Sequence, residues 1–413
     1  MDAQEIRRLK PKLDRYLKRF ADCFVRKDTR GHFPVYVQGQ LSDLHRKSVE
    51  PIAKEAGVPV RTLQEFLSLS KWDEDRMRDR LQEIVAAEHA SPRAVGVIDE
   101  TSFAKQGVKT PGVKRQYCGS SGKTENCIVT VHLAYAADGF QCLLDGDLFL
   151  PEDWHEDRER CREAGIPEET VYRPKWKIAL ELLDRSRQNG VQLPWLTFDE
   201  GYGGKPGFLA GLRQRTQPFV GEVPSILPGW LGRPRVTDRP YHRGRRGRGR
   251  RTPRLTCGSP PARSVKELLE GHPRLRDKPW KRYRLRSGTK GPMVWEVKAT
   301  WLYPKDENDL PGPRLRLVIA RNALNPKESK FFVADAPRGT SVGTLLLVGF
   351  SRWHVERCFE DQKDELGLDH YEGRCYAGLR RHLILTAVSY LFLSRVREEL
   401  GKKNPGADRG PGA

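Results

Sequence analysis

The sequence predicts an α/β protein: a mixed sheet with helices on its faces, an N-terminal helical domain and a β-rich insertion before the closing helices. Three observations carry this. Residues 1–90 show helical spacing without strand alternation; from Ala94 onward, short β-branched and apolar runs alternate with amphipathic stretches; and residues 231–290 shift sharply to basic composition before strand-like runs return. The boundaries drawn from these shifts are 1–90, 91–230, 231–344, 345–401 and a Gly/Pro tail at 402–413.

Residues 48–56, a break at Gly57-Val58-Pro59 and residues 60–69 predict two short helices around a tight turn, sharing Ile52, Ala53, Leu63, Phe66 and Leu67 as an apolar face. This is a helix-turn-helix candidate, in which Arg61, Thr62 and Gln64 would face a groove of DNA. An ordinary helical hairpin gives the same pattern. Residues 94–98 and 128–136 read as strands, the first ending in Asp99, and Ala137-Asp138-Gly139 is a hairpin turn into a third strand at 141–150. Pro174 opens an amphipathic helix through Asn189, and the apolar run 194–198 ends in a second aspartate, Asp199. A helix near 208–215 and a strand near 219–223 complete this part.

Between 231 and 290, twenty basic residues stand against four acidic ones, so this segment holds +16 of the chain's net +20. A polyanion is the expected partner, and double-stranded DNA fits best. Residues 241–251 have no apolar side chain to bury beyond Tyr241, and Arg243, Arg245, Arg246, Arg248, Arg250 and Arg251 read as a phosphate-contacting arm. Strands follow at 293–303, 315–320 and 331–334, then helices at 352–366 and 377–400. The eight cysteines are scattered singly, without metal-ligand spacing, and read as reduced thiols. No secretory signal is visible, and the longest apolar run, 383–393, is about half the roughly 20 residues a membrane span needs. A cytoplasmic, nucleoid-associated protein with no membrane partner is expected.

In the helix expected from 352, Val355, Phe359, Gln362 and Leu366 define a buried stripe, while Arg352, Glu356 and Lys363 share a second face. Alone, that face could be a solvated salt-bridge ladder. Together with two strand-ending aspartates it suggests three carboxylates at one site, where hard oxygen ligands would select two Mg²⁺ ions, or Mn²⁺ in their place, for phosphodiester chemistry.

Residues 97–103 (VIDETSF), 112–119 (GVKRQYCG), 122–127 (GKTENC), 154–166, 197–203 (TFDEGYG) and 352–356 (RWHVE) together resemble bacterial insertion-sequence transposases of the DDE type. The resemblance covers about residues 30–395. It implies an RNase H-like core with the triad on Asp99, Asp199 and Glu356, DNA-end binding by the helical domain, cleavage and joining of DNA at element ends, and a homodimer on DNA. Arg352 and Lys363 match the family's Tyr-Arg-Glu-Lys signature, since the Arg-x3-Glu-x6-Lys spacing is intact; Gly349 stands where the tyrosine belongs. The 157 residues from Asp199 to Glu356 fit the β-rich insertion of the cut-and-paste, hairpin-forming members. Trp280, among Lys278, Lys281 and Arg282, is the tryptophan expected to be exposed and to receive a flipped base, with Trp295 and Trp301 on one strand face as core residues.

Gly119-Ser120-Ser121-Gly122-Lys123-Thr124 mimics a nucleotide-binding loop but has Tyr117 where the first glycine belongs and strand rather than helix after it. Glu100, Glu200 and Glu360 are rival ligands, and His132, His155, His354, His370 and His382 share no common spacing. The alternatives to an active transposase are a catalytically inactive, host-retained DNA-binding derivative and a metal-dependent DNA nuclease.

Overall fold

The computed structural model describes residues 3–239, 252–288 and 291–403. The chain divides into two compact units: Met1–Pro194 with Trp353–Pro405, and Trp195–Arg352.

The first unit opens with helices α1 (Ala3–Lys18), α2 (Lys27–Leu41), α3 (Val49–Glu55), α4 (Val60–Ser68) and α5 (Glu74–Glu88), with a 3₁₀ turn at Ala21–Cys23. The α3–α4 pair forms as the sequence predicts, with Gly57 at φ +64° making the turn and Ile52, Ala53, Leu63, Phe66 and Leu67 all buried. Asp73 caps α5 by accepting from the Arg76 amide at 2.8 Å, and Glu74 and Asp75 favour its positive end.

Strands β1 (Val95–Ala104), β2 (Lys114–Cys118), β3 (Lys123–Ala137) and β4 (Phe140–Phe149) build an antiparallel sheet in which β3 pairs with β1, with β2 over its first residues and with β4 over the rest. Asp138 at φ 54° and Gly139 at φ 86° form the expected two-residue hairpin turn, whose positive dihedrals match the strand twist. One expectation needs correction: β1 does not end at Asp99 but runs on through Ala104. Thr101, Ser102 and Phe103 are buried there, so a carboxylate mid-strand does not stop the ladder. Short helices α6 (Glu152–Glu156) and α7 (Arg158–Glu163) precede α8 (Lys175–Gln188), which Pro174 opens as its N-cap.

The second unit begins with β5 (Trp195–Phe198), α9 (Glu200–Gly203), α10 (Pro206–Gln214) and β6 (Phe219–Glu222), a parallel β5–β6 pair joined by helices. Strands β7 (Pro228–Trp230), β8 (Val236–Thr237), β9 (Arg254–Leu255) and β10 (Arg263–Ser264) are short. After α11 (Val265–Gly271), started by a Ser264–Glu267 capping box, and α12 (Pro273–Arg276), the strands β11 (Lys281–Gly288), β12 (Gly291–Pro304), β13 (Leu315–Asn322) and β14 (Ser329–Asp335) form the β-rich insertion. They run antiparallel in the order β11-β12-β13-β14, and β14 joins β6. The unit closes with α13 (Val342–Phe350), a helix that the sequence reading left out because its apolar residues show no one-sided period. Residues 241–251, the expected arginine arm, lie outside the described residues.

The chain then returns to the first unit with α14 (Trp353–Leu366) and α15 (Tyr376–Lys403). α14 packs on β1, β3 and β4, burying Val355, Phe359, Gln362 and Leu366 as the spacing predicts. The helical region 1–90 does not stand apart. Tyr36 and Gln40 of α2 hydrogen-bond His382 and Thr386 of α15, and Gln82 of α5 bonds the Leu144 carbonyl of β4, so the helices share one core with the sheet. The outcome is a mixed α/β architecture with helix-flanked sheets, consistent with an RNase H-like DDE fold. No helix among the described residues is long and apolar enough to cross a membrane.

Candidate active site

In the first unit, Asp99 sits in the middle of β1, only 7% exposed, and its Oδ1 accepts the Glu100 amide at 2.8 Å. Directly across the ladder stands His132 of β3. Residues opposed in this way point to the same face, so the imidazole is the neighbour of the carboxylate. His132 Nε2 lies 2.7 Å from Thr130 Oγ1, its ring meets Phe359 of α14 edge-on at 5.3 Å, and burial drives its pKa down to about 3, keeping it neutral. The ring rests over Gly146 of β4, where a Cβ would come within 2.3 Å of Nδ1. Sequence reasoning missed His132, because only strand register reveals its place beside Asp99.

Glu356 lies in the first turn of α14, exposed, on the helix that covers β1. Seven residues on, Lys363 reaches along that helix to hold its ammonium 5.7 Å from the centroid of Phe103 on β1, and burial lowers its pKa. The rival carboxylates are engaged otherwise. Glu100, on the opposite face of β1, pairs with Lys175 at 2.7 Å, and Glu360 pairs with Arg357 at 3.5 Å.

In the second unit, Asp199 follows β5 and caps α9: its Oδ1 accepts from Gly201 at 2.9 Å and Tyr202 at 3.3 Å. Close packing fixes this corner. A Cβ on Gly203 would lie 1.9 Å from the Glu222 carbonyl, and one on Gly221 1.8 Å from the Phe198 ring. Glu200 is exposed on α9. Arg352 lies between α13 and α14 and closes the second unit.

Gly349 is buried in α13, where a Cβ would lie 3.1 Å from the Phe332 ring and 3.3 Å from Val220. The signature tyrosine is absent, and even a Cβ at this position would require the Phe332 and Val220 side chains to give by a few tenths of an ångström. Trp280 needs correction as the exposed tryptophan. It is half-buried, with Arg321 4.1 Å and Lys298 4.7 Å from its ring centroid. Trp295 is buried against Phe350 as expected, whereas Trp301 is 43% exposed beneath Arg314 at 4.3 Å and Arg316 at 5.2 Å. Trp295 has the Phe350 ring of α13 against it, whereas Trp301 has two arginines. In the first unit, Arg61 is exposed at the start of α4, its Nε 2.7 Å from Glu65 one turn on.

The donors fit a hard divalent cation. Asp99 and Asp199 each commit Oδ1 to backbone amides, which fixes the carboxylate plane, and carboxylate oxygens are the ligands Mg²⁺ and Mn²⁺ favour. Among the described residues, no three His, Cys, Asp or Glu side chains already stand as a metal-holding cluster.

Comparison with known proteins agrees with this geometry. Residues 19–292 match the family described as DDE superfamily endonuclease. Over 166 residues, 40% of this chain, the sequence is 34% identical to the "Probable transposase for insertion sequence element IS701" of Microchaete diplosiphon, and the match spans 41% of that relative's length. With two-thirds of its length matched, and with an aspartate buried mid-strand under a helix that carries a glutamate, the chain belongs to the DDE superfamily of endonucleases.

Proposed function

We propose that this protein is a transposase that cleaves and joins DNA phosphodiesters at the ends of an insertion sequence. The observation that carries the reading is Asp99, buried mid-strand beneath α14 in a chain of this superfamily with a transposase relative. Enzymes of the superfamily generally use divalent metal ions. In this reading Asp99, Asp199 and Glu356 would hold two Mg²⁺ or Mn²⁺ ions, which would supply Lewis acidity for phosphodiester cleavage. The chain's own groups orient the substrate. Lys363, held over Phe103, and Arg352 offer cations to the phosphates flanking the scissile bond, and the neutral His132, opposite Asp99 in the ladder, adds no charge there.

The affinity comes from basic residues: the arm at 243–251, the cations of β11 to β13, and Arg61 on α4. If excision passes through a hairpin, the displaced base stacks on Trp301 rather than Trp280, because Trp301 is exposed beside two guanidinium groups. The active species on DNA is a dimer. The test is incubation with Mg²⁺ and a duplex carrying the inverted repeats that flank the gene. Nicked, hairpin and strand-transfer products are expected; cleavage without strand transfer would make the protein a nuclease of the same chemistry.

A further inference from the structure

The C-terminal end of α14 is gripped by side chains from three other parts of the first unit. α14 closes at Leu366, Gly367 adopts φ +69°, and the Leu368 amide turns back to the Gln362 carbonyl at 2.9 Å. The carbonyls at such an end are ordinarily left to water. Here they are met from within. Lys47 Nζ donates to the Glu365 carbonyl and to the carbonyls of Gln40 at 3.0 Å and Ser42 at 2.6 Å. His382 Nε2 of α15 lies 3.1 Å from each of the Gly367 and Leu368 carbonyls, so it carries the proton, and the Tyr36 hydroxyl donates to Nδ1 at 2.9 Å. Lys105, one residue beyond β1, donates to the carbonyls of Asp369 at 3.1 Å and Tyr371 at 2.6 Å.

Lys47 is the member that matters most. It is 6% exposed and directly precedes Ser48, the N-cap of α3, so the chain entering the helix pair is the chain that holds α14. Its amide donates to His370 Nδ1 at 3.0 Å, and the neighbouring Arg46 pairs with Glu372 at the surface. A Cβ on Gly367 would stand 2.8 Å from the Lys47 Cβ and 2.7 Å from His370 Nδ1, so glycine serves both the left-handed φ and the close approach. Glu356 is nine residues before Glu365, about 14 Å along a rigid helix axis. A shift at the gripped end therefore moves the carboxylate.

We propose that Lys47 is a positioning residue that couples DNA engagement by the α3–α4 pair to the placement of α14 and Glu356. The inference rests on the function proposed above for the role of Glu356 and for DNA at the helix pair. Its test reads structure and activity separately. A mixed-sequence DNA duplex serves as the binding probe, and supercoiled plasmid carrying the inverted repeats that flank the gene, with Mn²⁺, as the substrate. Lys47→Met should bind the duplex within about twofold of wild type yet cleave at saturating DNA about tenfold to a hundredfold more slowly, with Lys47→Arg recovering most of the rate. Hydrogen exchange across residues 353–371 should slow on duplex binding in wild type and stay unchanged in Lys47→Met. If Lys47→Met fails to fold, Arg46→Ala, which removes only the exposed ion pair to Glu372, replaces it and should at least halve the exchange response. Wild-type cleavage by Lys47→Met, parallel loss of binding and cleavage, an α14 exchange rate indifferent to DNA, or a wild-type response in Arg46→Ala used as the replacement would each overturn the coupling. A wild-type protein that binds duplex and slows α14 exchange but cleaves nothing would instead overturn the proposed function and leave the coupling standing.

Discussion

Asp99 and His132 face each other across the β1–β3 ladder, a buried carboxylate beside a buried imidazole that burial keeps uncharged. Removing the carboxylate should remove the chemistry without the affinity, because affinity for phosphate comes from cations and not from these carboxylates. Asp99→Asn, Asp199→Asn and Glu356→Gln are each expected to abolish Mn²⁺-dependent cleavage while duplex binding, followed by fluorescence anisotropy, stays near wild type. Residual cleavage by Glu356→Gln would move the role to Glu360.

Neutral buried histidines make stability fall with acid. The folded-state pKa values of His132, about 3, and His382, about 4, lie below the usual 6.5, so the unfolded chain takes up protons that the folded chain refuses. Their contribution is complete above pH 6.5 and is lost progressively as pH falls toward 4, at about 1.4 kcal/mol per pH unit for each group. Urea unfolding across that range should show the slope, and His382→Gln should flatten it; an unchanged slope would mean that carboxylates dominate.

Binding should weaken steeply with salt. Each phosphate neutralised contributes about 0.9 to the slope of log affinity against log salt for duplex DNA. Deleting residues 241–251 removes six arginines and should lower the slope measurably. The same slope after deletion would place the DNA elsewhere.

Trp301 and Trp280 separate by function. With 43% of Trp301 exposed and Trp280 held between cations, Trp301→Ala should spare first-strand nicking and reduce hairpin formation, whereas Trp280→Ala should lower stability and leave the ratio of the two products alone. A labelled end duplex resolves both products on a denaturing gel. Equal effects of the two substitutions on the ratio would remove the stacking role.

Gly349→Tyr should not restore a lost function. Its Cβ alone would crowd Phe332 and Val220, and overpacking in a core costs about 1–3 kcal/mol. A lower melting temperature with no gain in cleavage is expected; a gain would show that α13 can shift to admit the hydroxyl.

Much of this molecule is legible in its sequence, for reasons that differ by element. The helix pair, the Asp138-Gly139 turn and the buried stripe of α14 follow from local chemistry: a left-handed glycine, positive dihedrals and a 3.6-residue period. Polar edge strands such as β2 and β11 lack that contrast, since Lys114, Arg115, Lys281, Arg282 and Arg284 are exposed and only pairing with β3 and β12 reveals the strands. The carboxylates are recognisable by motif, but the long-range neighbours and contacts of the fold around them are not. His132 lies 33 positions from Asp99 and Lys105 264 positions from the carbonyl it holds, and no spacing rule links them.

The first unit is assembled from both ends of the chain, with the entire 195–352 stretch between its two parts. During synthesis, β1, β3 and β4 therefore emerge long before α14 and α15, which later cover their apolar face. Until α14 and α15 have been made, the apolar sheet face of a nascent polypeptide stays exposed and is a target for chaperones. Chain order thus makes the C-terminal helices the closing step of folding: a ribosome-bound or prematurely terminated product lacks the elements that complete the core of the first unit.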